Sequence, residues 1–103
     1  MNMDMDKAAR ESLRWLILQA LNSAQPIGAS EQVLFQAIVP SQPMLTTLEL
    51  RRNLDYLQER ELLQITGKSE QPFWFAKLTR HGVDVVEYTV PIEPGIARPN
   101  KYW

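Results

Sequence analysis

Thr47, Arg51 and Arg52 fall within five residues of one another, at a spacing that gathers them near the start of one helix. An arginine there can donate paired hydrogen bonds to guanine O6 and N7, and a threonine hydroxyl can reach a base edge or a phosphate. Tyr56, one turn further on, has a hydroxyl that can bond a phosphate oxygen. Lys68 lies in a polar loop. Arg80 follows Thr79, where a helix N-terminus would present amides to an anion. The chemistry these side chains share is contact with nucleic acid, so the candidate DNA-binding set is Thr47, Arg51, Arg52, Tyr56, Lys68 and Arg80.

The charges around them argue the other way. Between Thr46 and Lys68 the cations Arg51, Arg52, Arg60 and Lys68 are matched by the anions Glu49, Asp55, Glu59 and Glu61. A neutral stretch is poor electrostatics for a duplex. Arg51 and Asp55 stand at i and i+4, so they can simply pair on a solvated surface. Lys68 can be a solvated loop lysine beside Glu70. The whole chain carries 11 Lys and Arg against 12 Asp and Glu, a net charge of −1. That balance does not advertise nucleic acid, although a local basic face is compatible with it.

Other chemistries find few residues to use. There is no cysteine, which removes disulfides, thiolate metal sites and a thiol nucleophile. The one histidine, His81, cannot build a histidine-rich metal site or a relay by itself. It reads as a surface or packing residue, with Lys77 and Arg80 as its basic neighbours. No phosphate-cradling glycine loop, nucleophile elbow or metal-ligand spacing occurs. The expectation is a protein without catalytic residues, metal or cofactor. No apolar run approaches the roughly 20 residues that span a bilayer, and the acidic, polar opening MNMDMDKAAR does not resemble a secretory signal. The expected compartment is the cytoplasm, with no membrane contact.

A chain of 103 residues, 45% hydrophobic, is expected to form one domain with one modest core. Its elements follow from periodicity. From Asp6 to Asn22, Leu13, Leu16, Ile17, Ala20 and Leu21 recur at spacings of three and four, which predicts a helix capped by Asp4 or Asp6. Trp15 and Leu18 fall off that stripe and are expected either against the last helix or in a dimer seam. Pro26 and Gly28 break the pattern. Ser30 caps a second helix that buries Val33, Leu34, Ala37 and Ile38, and Pro40 and Pro43 close it. Thr46 and Glu49 form a capping box for a third helix running to about Arg60, with Leu50, Leu54 and Leu57 inward. Its outward face is centred on Leu48, Arg52, Asp55 and Glu59.

Leu63 and Ile65 then alternate with Gln64 and Thr66 as a half-buried strand should. The loop from Gly67 to Pro72 leads to a second strand, Phe73 to Ala76, completing a hairpin. Three successive aromatics cannot all face one side of a strand. One ring therefore needs a cover, either the tail residues Ile92, Ile96, Tyr102 and Trp103 or another protein. Thr79 caps a short last helix, to about Tyr88, with Val83 and Val86 inward. Pro91, Pro94, Gly95 and Pro99 make the remainder extended.

The stretch from Leu50 to Leu63, LRRNLDYLQERELL, resembles the junction of third helix and wing in bacterial winged-helix regulators of the MarR and ArsR type, which usually carry Gly where this chain has Glu61. Leu78-Thr79-Arg80-His81-Gly82 resembles the Leu-Thr-x-x-Gly that follows their wing. With Val85-Val86-Glu87 and a short tail near Arg98-Pro99, the chain looks most like small ArsR-like winged-helix proteins of Mu-like phages and prophages, over roughly Ala8 to Pro99. The resemblance implies an α+β, mainly helical winged helix-turn-helix: three helices, a two-stranded wing, a short fourth helix and an extended tail. The expected division is a winged-helix domain at 1–90 and the tail at 91–103. The expected role is duplex DNA binding, in regulation or another DNA transaction, by a homodimer joined through the first and last helices. The alternative is a protein-binding adaptor in phage assembly or packaging, which the neutral third helix, Leu48 and the aromatic wing favour.

Overall fold

The computed structural model describes residues 3–70 and 72–103. In chain order the elements are α1 (Met3–Ser23), β1 (Ala29–Ser30), α2 (Glu31–Ile38), α3 (Thr47–Glu59), β2 (Leu63–Thr66), β3 (Phe75–Leu78) and α4 (Arg80–Val86). Among the described residues the fold is α+β and mainly helical, with four helices and one three-stranded antiparallel sheet in the order β1-β3-β2.

The third strand corrects the expectation of a two-stranded hairpin. Ala29 and Ser30 pair with Ala76 and Phe75 on the free edge of β3. A strand of two residues leaves no alternation to detect. Ser30 has a second task, because its hydroxyl accepts the Val33 N–H at 3.2 Å as the N-cap of α2. The hairpin itself pairs Leu63 with Leu78 through Thr66 with Phe75. β3 thus runs Phe75–Leu78 rather than from Phe73, which leaves Phe73 and Trp74 in the connecting loop.

The core fills the space between α1 and the other layers. Leu13, Ile17 and Leu21 of α1 are buried as their spacing requires, while Leu16 and Ala20 are half-buried. Trp15 and Leu18 are buried too. α2, α3, β3 and α4 all pack on α1, so its covered arc is wider than one stripe. The Trp15 ring meets Tyr88, just beyond α4, edge-on at 6.3 Å. α1 also begins earlier than expected, so Asp4 and Asp6 lie inside its first turns and not at a cap.

In α2 only Leu34 and Ile38 of the four expected residues are buried. Val33 is 59% exposed and Ala37 is exposed as well. Glu31, at the first position of the helix, is buried in their place.

α3 follows its sequence signals closely. Thr46 Oγ1 accepts the Glu49 N–H, and Glu49 Oε1 accepts the Thr46 N–H, both at 3.1 Å. Leu50, Leu54 and Leu57 have no exposed surface. Asn53 shares their face. Its amide donates to the Glu49 carbonyl at 2.7 Å and its oxygen accepts Arg14 Nε at 2.8 Å.

The turn from α3 into β2 places Glu61 at a φ of 60°, a left-handed conformation that glycine adopts most readily. Thr79 caps α4 by accepting the Gly82 N–H at 3.1 Å. A Cβ on Gly82 would stand 2.0 Å from the Leu62 carbonyl oxygen, so α4 can approach the end of α3 only at a residue without a side chain. Val85 of α4 is buried, while Val83 and Val86 are half-buried.

The tail packs on the helices. Ile96 joins the core, and the Ala97 N–H donates to Glu11 of α1 at 3.1 Å. Arg98 donates to the carbonyls of Val85 and Val90, both at 2.9 Å. Tyr102 and Trp103 remain exposed, with Trp103 edge-on to Tyr88 at 4.9 Å. The expected cover for the hairpin aromatics is therefore supplied by other residues.

Candidate nucleic-acid interface

The capping box fixes the start of α3 and the three leucines fix its rotation, so Thr47, Leu48 and Arg52 are presented outward. Among the described residues Arg52 has no ion-pair partner. Leu48, one turn before it, is exposed, and so is Met44 ahead of the helix.

Arg51 is committed elsewhere. Its Nε lies 3.0 Å from both carboxylate oxygens of Glu31, and its Nη2 lies 2.9 Å from Glu31 Oε1. Local pairing with Asp55 does not occur. Glu31 is 4% exposed and also accepts the Trp74 N–H at 2.9 Å. The Arg51 guanidinium sits 4.8 Å from the Trp74 ring centroid.

Lys68 is paired with Asp55, not with Glu70, and its ammonium lies 4.7 Å from the same Trp74 centroid. Two cations thus lie near the Trp74 ring, a cover that is neither of the expected alternatives, the tail or another protein. Phe73 stays 42% exposed, and Phe75 is half-buried in β3.

Tyr56 turns to the other flank of α3. Arg14 of α1 and Arg60 lie 3.5 Å and 3.6 Å from its ring centroid. Arg60 is in turn paired with Glu93 of the tail at 2.8 Å. Arg14 donates to the Gly95 carbonyl at 2.9 Å. Burial pushes the Arg14 guanidinium below its ordinary value, and the neighbouring cations Arg10 and Arg60 push the same way. Tyr56 binds the helices and the tail together and does not share a surface with Thr47.

Arg80 and His81 are exposed at the start of α4. They line a shallow cleft of about 530 Å³ with Gln58, Glu61, Leu63, Gln64 and Thr79. Thr47 and Gln58 are eleven residues apart on α3, a rise of about 16 Å at 1.5 Å per residue. Of the six candidates, the structure gathers Thr47, Arg51, Arg52 and Lys68 at the start of α3 and the hairpin loop. Tyr56 shares a cleft with Arg52 against α1, while Arg80 lies apart from all of them.

Sequence reasoning missed Glu31 and Trp74, which hold this corner, and Asn53. The Asn53 signal was present: it stands three residues after Leu50 and four before Leu57, on the core face. For Glu31 the local signal pointed only to a favourable charge in a first helical turn. Nothing nearby marked a partner twenty residues away.

Among the described residues no group of three or more acidic, histidine or cysteine side chains could hold a metal ion, and no helix is long and apolar enough to cross a membrane. Fold and site together define a small mainly helical domain that sets one capped helix beside a β-hairpin. No protein-family model matches the chain, and no curated protein matches it significantly.

Proposed function

We propose that the chain is a winged helix-turn-helix module of the ArsR-like phage and prophage kind that binds duplex DNA. The start of α3 enters the major groove and the loop between β2 and β3 lies on the phosphate backbone. The observation that carries this reading is the outward placement of Arg52 on a capped helix whose Asp55 pairs with Lys68 of the hairpin loop. The order of three helices, a hairpin and a fourth helix supports it, with β1 an addition to the two expected strands. Glu61 supports it as well, because its φ of 60° falls where the ArsR pattern carries Gly. Arg52 reads a base edge, Thr47 contacts a base edge or phosphate, and Lys68 contacts phosphate. Arg80 is too far along the hairpin base to share that groove and is left a backbone contact at most.

Duplex affinity measured against salt tests the reading. Affinity that falls with added salt and drops on Arg52→Ala supports it. Affinity indifferent to both removes it.

A protein-binding adaptor is the second reading, and one observation favours it. Two of the three cations at this corner are already neutralised by Glu31 and Asp55, while Met44, Leu48 and Phe73 expose apolar surface. Under that reading Leu48→Ala, not Arg52→Ala, abolishes the retained partner.

A further inference from the structure

Four segments meet at one indole ring. The Trp74 N–H donates to Glu31, and the Trp74 carbonyl accepts the Glu31 N–H at 2.7 Å, so the end of the hairpin loop is tied to the start of α2 through both backbone groups. Arg51 of α3 neutralises that carboxylate and lies over the ring. Lys68, from the other limb of the loop, lies near the same ring and is held by Asp55, one helical turn past Arg51.

We infer that Arg51 is a positioning residue, not a base reader: through Glu31 and Trp74 it sets the angle of the hairpin loop to α3, while the Lys68–Asp55 pair is the half of this corner that a phosphate takes over. The consequence for DNA rests on the reading proposed above. The positioning itself is measurable in the free protein.

The two ion pairs differ in burial. Glu31 is buried, with a side chain 5% exposed. Withdrawing Arg51 into a groove would leave an ionised carboxylate in low dielectric with only the Trp74 amide to satisfy it. Breaking a buried pair in that way costs more than a single base contact returns. Lys68 and Asp55 have side chains 41% and 44% exposed. Water already screens that pair, so exchanging Asp55 for a phosphate costs little and releases a counterion. Cation–aromatic attraction keeps Lys68 close to Trp74 in either state. The corner therefore holds one fixed cation and one exchangeable cation on the same ring.

Amide hydrogen exchange in the full chain tests this, with duplex binding read separately. Arg51→Gln is expected to speed exchange at the Trp74 amide by on the order of tenfold relative to the Leu18 amide in the core, whereas Lys68→Gln leaves it within about twofold. Referring the rate to Leu18 separates local opening from global loss of stability. If Arg51→Gln fails to fold, Arg51→Lys keeps a charge opposite Glu31 but loses the two-pronged contact, and faster exchange at Trp74 is expected there too. On duplexes differing at single base pairs, Arg51→Gln is expected to lower affinity by the same factor on every sequence. Lys68→Gln is expected to reduce the salt slope by about one.

Unchanged Trp74 exchange in both Arg51 variants overturns the inference. So does relaxed preference at one base pair on Arg51→Gln. If the native chain binds no duplex, the proposed function fails while the exchange result still decides whether Arg51 positions the loop.

Discussion

The Arg14 guanidinium lies 3.5 Å from the centroid of the Tyr56 ring, and this contact joins the first helix to the third. Gly95 of the tail closes over the same ring. Its φ is 103°, and a Cβ there would stand 2.0 Å from Tyr56 Oη. Gly95→Ala therefore meets both a disfavoured backbone conformation and an occupied site. The expected loss is about 2 kcal/mol, read as a lower denaturation midpoint at unchanged m. In a Tyr56→Phe background the alanine has more room, so the two substitutions together are expected to cost less than the sum of each alone. Strict additivity would mean that the tail does not press on Tyr56.

Glu61 offers the opposite test, a substitution that stabilises. Its φ of 60° is held by the turn into β2, and its carbonyl accepts the Thr79 hydroxyl at 2.6 Å. Neither feature uses the carboxylate. Glu61→Gly relieves the left-handed strain, partly offset by the greater freedom of glycine in the unfolded chain. A gain of about 1 kcal/mol in urea denaturation is expected. A neutral or destabilising result would show that the side chain contributes contacts that outweigh the strain.

Glu31 and Val33 lie two residues apart on α2 with opposite consequences. Glu31→Ala removes the acceptor for Arg51 and for the Trp74 N–H in a buried setting. The expected cost is about 2–3 kcal/mol, because the Trp74 N–H loses its acceptor while the Arg51 left behind can turn to water. Val33→Ala, at a position 59% exposed, is expected to stay within about 0.5 kcal/mol. Equal costs in thermal or chemical unfolding would contradict the burial pattern of this helix.

Local signals were legible wherever the fold obeys local rules. The Thr46–Glu49 box and the leucine spacing located α3 and its buried face, because both depend on residues within one or two turns. The Leu78-Thr79-x-x-Gly82 motif marked a helix start, and its physical content is a threonine cap plus a glycine facing the Leu62 carbonyl. What escaped depends on distant partners. The pairing of Ala29 and Ser30 with β3 needs residues more than forty positions away, and so does the tie between Glu31 and Trp74. Arg51 is the clearest case. A carboxylate four residues away on the same helix was the obvious partner, yet the observed one comes from α2 because only that carboxylate is desolvated. Charge counting along the chain left out Glu31 and so gave the wrong pairs.

Those pairs set how strongly any duplex can be held. Arg51 is spent on Glu31, so the exposed cations that remain at this corner are Arg52 and Lys68 once it leaves Asp55, with Lys77 and Arg80 further along the hairpin as outlying phosphate contacts. With two to four phosphates neutralised, the logarithm of affinity is expected to fall with the logarithm of salt at a slope of about −2 to −4. Arg52→Ala is expected to lower affinity by roughly 5- to 30-fold, a cost of about 1–2 kcal/mol, because it removes the proposed base contact. Lys77→Ala, on the exposed face of β3, is expected to change it by less than about twofold. Fluorescence anisotropy with a labelled duplex at several salt concentrations measures all three. A slope steeper than about −6 would require cations that this corner does not have, and would move the interface to another face of the molecule.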